Sequence, residues 1–203
     1  MDLDAVRAAG TAGPTPLEAP YAVYVGKLAP NKGVVKLAAA VRCADLPWPL
    51  VIVGDGLDRA ALEQQFRHDG RDARFVGWVE RAEALRWLAH ASLLVFPSHG
   101  PESLSRVLLE AAVLGVPIAA MDTGGTRDII VDKVTGLLST SAEALGADVA
   151  RLVADRALAA RLAAAGRDHV ARAFASEAVV ERVEALYRDV GSARVPRRTV
   201  THE

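Results

Sequence analysis

The chain has 203 residues, 51% of them hydrophobic, with 24 basic and 25 acidic side chains and a formal net charge of −1. That length suffices for one well-buried domain with small appendages, and the balanced charge leaves no electrostatic footprint for nucleic acid. The single Cys43 excludes an internal disulfide and a cysteine-built zinc site, and no apolar run reaches the ~20 residues of a membrane span.

Residues 1–20 contain Ala-Gly-Thr-Ala-Gly-Pro-Thr-Pro and show no strong period, so they read as a linker or arm. Strand and helix patterns then alternate through 21–190, read as one domain. Tyr21 to Val25 is an apolar run closed by Gly26, and Gly33 to Arg42 is helical in pattern. Leu50 to Val53 is a second strand ending in Gly54-Asp55-Gly56, with a charged helix from Asp58 to His68. Ala73 to Val76 is a third strand, Arg81 to His90 a helix and Ser92 to Phe96 a fourth strand. Leu104 to Leu114 follows as a helix, Pro117 to Ala120 as a fifth strand and Gly136 to Leu138 as a short sixth. From Ser141 onward the chain is helical, with breaks expected near Gly166 and Ser176 and an amphipathic helix over Glu177 to Asp189. Residues 191–203 are polar and basic and read as a disordered tail.

The strands are continuous apolar runs, as expected when helices cover both faces of a parallel sheet. The predicted fold class is therefore α/β, a Rossmann-like doubly wound parallel sheet. Such folds bind ligands beyond the carboxyl ends of their strands, where the glycine-rich and charged segments of this chain fall.

Glu102 and Glu110 flank Ser-Leu-Ser-Arg-Val-Leu-Leu directly after the fourth strand. With a helix from Leu104, eight residues of helical rise would set the carboxylates about 12 Å apart along its axis. The amides at that helix start favour an anion. One carboxylate suits sugar hydroxyls, the other ribose hydroxyls, and the helix end a diphosphate between them. Two glutamates around an apolar helix are more often solvated surface residues, so the spacing alone decides nothing.

The wider set of motifs resembles the C-terminal, donor-binding half of a GT-B glycosyltransferase, specifically the retaining enzymes of family 4. It comprises Tyr-Val-Gly-Lys-Leu-Ala-Pro-Asn-Lys-Gly at 24–33, Val-Ile-Val-Gly-Asp-Gly at 51–56 and Phe-Val-Gly-Trp-Val at 75–79. Pro97-Ser98, the Glu102–Glu110 segment, Gly124-Gly125 and Thr-Gly-Leu-Leu at 135–138 complete it in order. By this resemblance the bound ligand is a nucleotide-diphosphate sugar and the reaction a retaining hexosyl-type transfer, with no metal and no separate cofactor. Glu102, Lys27 and Lys32 would be the catalytic residues. Gly26, Gly77, Val79, Leu104, Ser105 and Glu110 would bind the donor with them, Glu110 on the ribose and the main chain of 77–79 on the base. The family's arginine is here Lys27, and its Phe-Gly after the first glutamate is Leu104-Ser105. Base, sugar and acceptor are not named by these motifs.

The resemblance also implies a partner domain, the N-terminal GT-B half that carries the acceptor site, without which little turnover is expected. No signal-peptide pattern opens the chain, so a cytoplasmic protein is expected, with peripheral membrane attachment through the other half left open. Rival readings are a non-catalytic nucleotide-sugar binding module, another GT-B enzyme such as a nucleotide-sugar epimerase, and a nicotinamide-binding domain. The last is discouraged because Arg59 stands where the third fingerprint glycine belongs. Asp2-Leu3-Asp4 matches the Asp-x-Asp metal motif but does not follow a strand, while His99 and Arg106 adjoin the donor signature.

Overall fold

A computed structural model describes residues 1–18, 20–100 and 103–192. The sheet is six-stranded and parallel: β1 (Ala22–Val25), β2 (Leu50–Val53), β3 (Ala73–Gly77), β4 (Leu93–Phe96), β5 (Ile118–Met121) and β6 (Leu137–Ser139). Their spatial order is β3-β2-β1-β4-β5-β6, so the winding reverses between β1 and β4. The doubly wound α/β architecture expected from the continuous apolar strands is the one observed.

Both faces of β1, β2, β4 and β5 are largely buried, whereas the edge strand β3 exposes Arg74. Ala22, Tyr24, Leu50, Ile52, Leu93 and Val95 point to one face, where they meet α2 (Val34–Ala44), α3 (Arg59–His68) and α7 (Ala142–Ala154). Val23, Val51, Val53, Leu94 and Phe96 point to the other, against α1 (Leu3–Thr11), α4 (Arg81–Ala89) and α5 (Arg106–Leu114). The period of two sorts alternate residues between two cores, and neither face needs polar residues. Tyr21, which precedes β1, is fully buried yet donates its hydroxyl to Trp87 O at 2.6 Å. Burial pushes its phenol well above the usual tyrosine range, so the neutral donor form is retained.

Several boundaries differ from the sequence reading. The stretch 1–20 carries α1, capped by Asp2, whose carboxylate accepts from Ala5 N at 2.9 Å. Val6 and Gly10 of α1 are buried, with Gly10 packed closely on Leu114 and Ala89. Short sequence length and a weak apolar period hid this helix, because its small residues bury by close approach. The expected break at Gly166 does not occur. That glycine lies within α8 (Arg156–Phe174), and the helices divide instead at Asp155, which accepts from Leu158 N at 2.8 Å. The break near Ser176 is present, where α9 (Ser176–Ser192) begins. The backbone of α9 extends into the stretch read as a disordered tail, and residues 193–203 lie outside the described residues. A one-turn helix, α6 (Thr126–Ile129), and a 3₁₀ turn at Pro30–Lys32 were not anticipated.

Candidate functional site

Two clefts open at the carboxyl ends of the central strands, on either side of Val25-Gly26. One, of about 250 Å³, lies between the end of β1 and the start of α5, with Tyr24, Gly26, Lys32, Ser98, Leu104 and Arg106 in its wall. The other, of about 500 Å³, faces β2 and β3 and is lined by Lys27, Asp55, Trp78, Val79 and Ala84 among others. This is the crevice created where the winding reverses, the usual ligand site of an open α/β sheet. A larger cavity of about 580 Å³ lies at the opposite edge, lined by Arg7, His90, Ser92 and Arg167 among others. It abuts the amino ends of β1 and β4, where no strand-end loop converges, so size does not identify the site here.

The loop after β1 is shaped by close backbone contacts. Gly26 N donates to Val53 O at 3.0 Å, and a Cβ on Gly54 would lie 2.0 Å from Gly26 O. Tyr24 donates its hydroxyl to Lys27 O at 2.9 Å, fixing the main chain beneath that lysine. The Lys27 side chain is exposed on the 500 Å³ cleft and makes no salt bridge among the described residues. Lys32 ends the 3₁₀ turn before Gly33, whose φ of 74° is left-handed. A Cβ at Gly33 would stand 1.9 Å from Pro97 O, and Asn31 O accepts from Gly100 N at 3.0 Å. Both contacts dock the lysine turn onto the end of β4, which places Lys32 beside the start of α5.

That start lies at Arg106, two residues later than Leu104, with the buried Ser105 as N-cap and no side-chain bond to the first-turn amides. Ser105, Arg106 and Val107 line the 250 Å³ cleft together with Lys32. Helix N-terminal amides without a side-chain cap, with cations beside them, favour an anion. The later start also shortens the helical rise invoked from the sequence, since only about 6 Å separates Arg106 from Glu110 along the axis. Glu102 itself lies outside the described residues, so the paired-carboxylate spacing rests on sequence alone.

Glu110 is only 8% exposed, on a helix whose residues 108–113 are all buried. A carboxylate in such a place requires a partner. Arg81, the first residue of α4, supplies it: Nε and an Nη donate to Glu110 Oε1 at 3.1 and 2.8 Å. The sequence reading missed Arg81, because nothing in a one-dimensional pattern joins two residues 29 apart. Gly77, with φ of 84°, turns the chain out of β3, and its carbonyl accepts from Gly54 N at 2.8 Å. It is therefore Trp78 and Val79 that face the cleft, and Trp78 is 71% exposed at its rim.

Asp55 also borders that cleft. Its carboxylate accepts from Gly56 N and from an Arg59 guanidinium nitrogen, each at 2.8 Å, and these bonds hold its pKa below the usual carboxylate range. Arg59, the residue that broke the glycine fingerprint, thus has a structural task, bridging Asp55 to Glu63 and lying over the Phe75 ring. The Asp-x-Asp sequence near the N-terminus is likewise accounted for locally, as the α1 cap at Asp2 and an Asp4–Arg7 ion pair. Among the described residues, no three His, Cys, Asp or Glu side chains gather as a metal site, and no helix is long and apolar enough to cross a membrane.

The model of the family "Glycosyl transferases group 1" matches residues 11–169. A GDP-mannose-dependent alpha-mannosyltransferase of Mycobacterium tuberculosis is 39% identical over 155 residues, which are 73% of this chain and 39% of that protein. Sucrose-phosphate synthase from Thermosynechococcus elongatus superposes with a TM-score of 0.76 at 28% identity, over 95% of this chain and 51% of its own. Anabaena HepE in complex with UDP and glucose superposes with a TM-score of 0.71 at 25% identity, over 85% of this chain and 48% of its own. The chain thus spans about two fifths of the length of the curated relative and half of the solved ones. Fold, strand-end clefts and family match agree on the C-terminal domain of a GT-B protein, and the chain belongs to the group 1 glycosyl transferases.

Proposed function

We propose that this domain binds the nucleotide-diphosphate sugar donor of a retaining, family 4-type hexosyltransferase, and that its acceptor site belongs to a second domain. The observation that carries this reading is the junction at Val25-Gly26, a cation-lined helix start in one cleft and a roomy base-sized cleft beside it, with a buried carboxylate farther along the same helix α5, bonded to the start of α4. In this reading the diphosphate meets Lys32, Arg106 and the first amides of α5, with Lys27 at the other side. The base lies against Trp78 and Val79, the ribose hydroxyls reach Glu110, and Glu102 takes the sugar. The GDP-mannose-dependent relative and the UDP complex of the Anabaena protein both support a nucleotide-linked hexose as the ligand class.

As the glycosidic bond breaks, charge grows on the departing diphosphate. Fixed cations and amide dipoles at that place stabilise the transition state more than the ground state. The acceptor would attack on the face the diphosphate leaves, and the departing phosphate oxygen would take its proton. Titration calorimetry with a bare nucleoside diphosphate and with its sugar conjugate separates the roles of the two glutamates. Glu110→Ala is expected to weaken both ligands about tenfold or more, a loss of about 1.4 kcal/mol. Glu102→Ala is expected to spare the bare nucleotide and weaken only the sugar-bearing donor. Equal effects of Glu102→Ala on both ligands would rule out this division.

A further inference from the structure

The Glu110 carboxylate is gripped from one side only. Both Arg81 donors converge on Oε1, at 3.1 and 2.8 Å. The second oxygen, Oε2, accepts no hydrogen bond among the described residues, and it is not one of the polar atoms sealed from solvent. A guanidinium fork spanning both oxygens would occupy the edge that a diol needs. The arrangement seen here leaves that edge open.

We propose that Arg81 is a positioning residue for nucleotide recognition, holding the Glu110 carboxylate by Oε1 so that Oε2 is presented to the ribose 2′- and 3′-hydroxyls. The proposal rests on the donor-site reading above and adds a residue to it. A free glutamate side chain must surrender rotamer freedom when it accepts from a ligand, and that loss subtracts from affinity. With Arg81 in place the loss is met on folding. Arg81 also opens α4 two residues after Val79, which lines the larger cleft with Trp78. Its grip therefore ties the wall against which the base would lie to the carboxylate that would read the ribose. The two side chains divide the task by burial, Arg81 being 54% exposed and Glu110 10%. Replacing the arginine by Ala leaves a buried carboxylate without its partner, a cost to the fold that the Gln and Lys replacements reduce by keeping a donor there.

The test titrates the full chain with GDP and UDP and with their 2′,3′-dideoxy counterparts, for wild type, Arg81→Ala, Arg81→Gln and Arg81→Lys, with thermal melting as a folding control. Wild type is expected to prefer the ribonucleotide at least tenfold. Arg81→Ala should cut that preference fivefold or more while leaving dideoxynucleotide affinity within twofold. Arg81→Gln and Arg81→Lys, each offering one point of contact, should retain part of the preference. An equal loss of both ligands, or an unchanged ratio in Arg81→Ala, would reduce Arg81 to a structural role and overturn the proposal. Tighter ribonucleotide binding by Arg81→Ala would overturn it too, by showing that the arginine competes with the ribose. A wild type that binds nucleotide without preferring ribose overturns this proposal and leaves the donor site standing, whereas no nucleotide binding at all sinks both.

Discussion

At the scale of residues, charge in this protein sits where a neighbour determines what it can do. Glu110 is tolerated in a buried helix because Arg81 reaches it from another element. Asp122, just after β5, meets Arg127 in a fork, with both nitrogen–oxygen distances at 2.5 Å. The guanidinium holds the Asp122 carboxyl below the usual carboxylate range. A carboxyl depressed on folding stabilises the fold above its unfolded value, about pH 3.9, and that contribution disappears as pH falls through the lower folded value. Wild type should therefore melt above Asp122→Asn at pH 7, and the gap should be narrower at pH 3. Scanning calorimetry at the two pH values decides it, and a gap that persists undiminished in acid would assign the stabilisation to something other than charge. Arg127 is mostly exposed, so solvent screening keeps the effect small.

At the scale of elements, the site is made by loops that press against one another. Gly33 and Gly70 both have positive φ, 74° and 61°, but a Cβ at Gly33 would strike Pro97 O while one at Gly70 meets nothing within 4 Å. Left-handed backbone alone costs a residue with a side chain about 1–2 kcal/mol. Gly70→Ala should lose about that much stability. Gly33→Ala should lose more and also weaken nucleotide binding, since the turn bearing Lys32 must back away from β4. Denaturant melts of the two variants, with a nucleotide titration of each, test this; equal losses would mean the contact with Pro97 is easily relieved.

The strands and most helices were legible because a chain buried on both faces must be apolar throughout, as Leu50–Val53 and Leu93–Phe96 are. Lys27, Lys32 and Glu110 were legible as candidates because each follows a strand end or a glycine turn in a recognisable order. Three features were not. Helix α1 buries mainly through Val6 and a glycine, which leaves little apolar period. The division of α7 from α8 depends on the Asp155 cap, which competes poorly for attention against an interior glycine that proved to pack tightly on Thr135. Arg81 is an ordinary helix-start arginine until tertiary structure brings it to Glu110.

At the scale of the molecule, the two ends of the sheet have different characters. The carboxyl-end crevice gathers Lys27, Lys32, Arg106 and the start of α5, while the larger cavity at the amino end is lined by helix termini and the α1–β1 connection. The first is the proposed nucleotide site, and amide chemical shifts of the labelled chain titrated with GDP or UDP test this most directly. Perturbations should concentrate at Gly26, Lys32, Trp78, Val79, Val107 and Leu108, with Ala89, Ser92 and Leu114 unmoved. Shifts clustered at those last three residues, around the amino-end cavity, would contradict it.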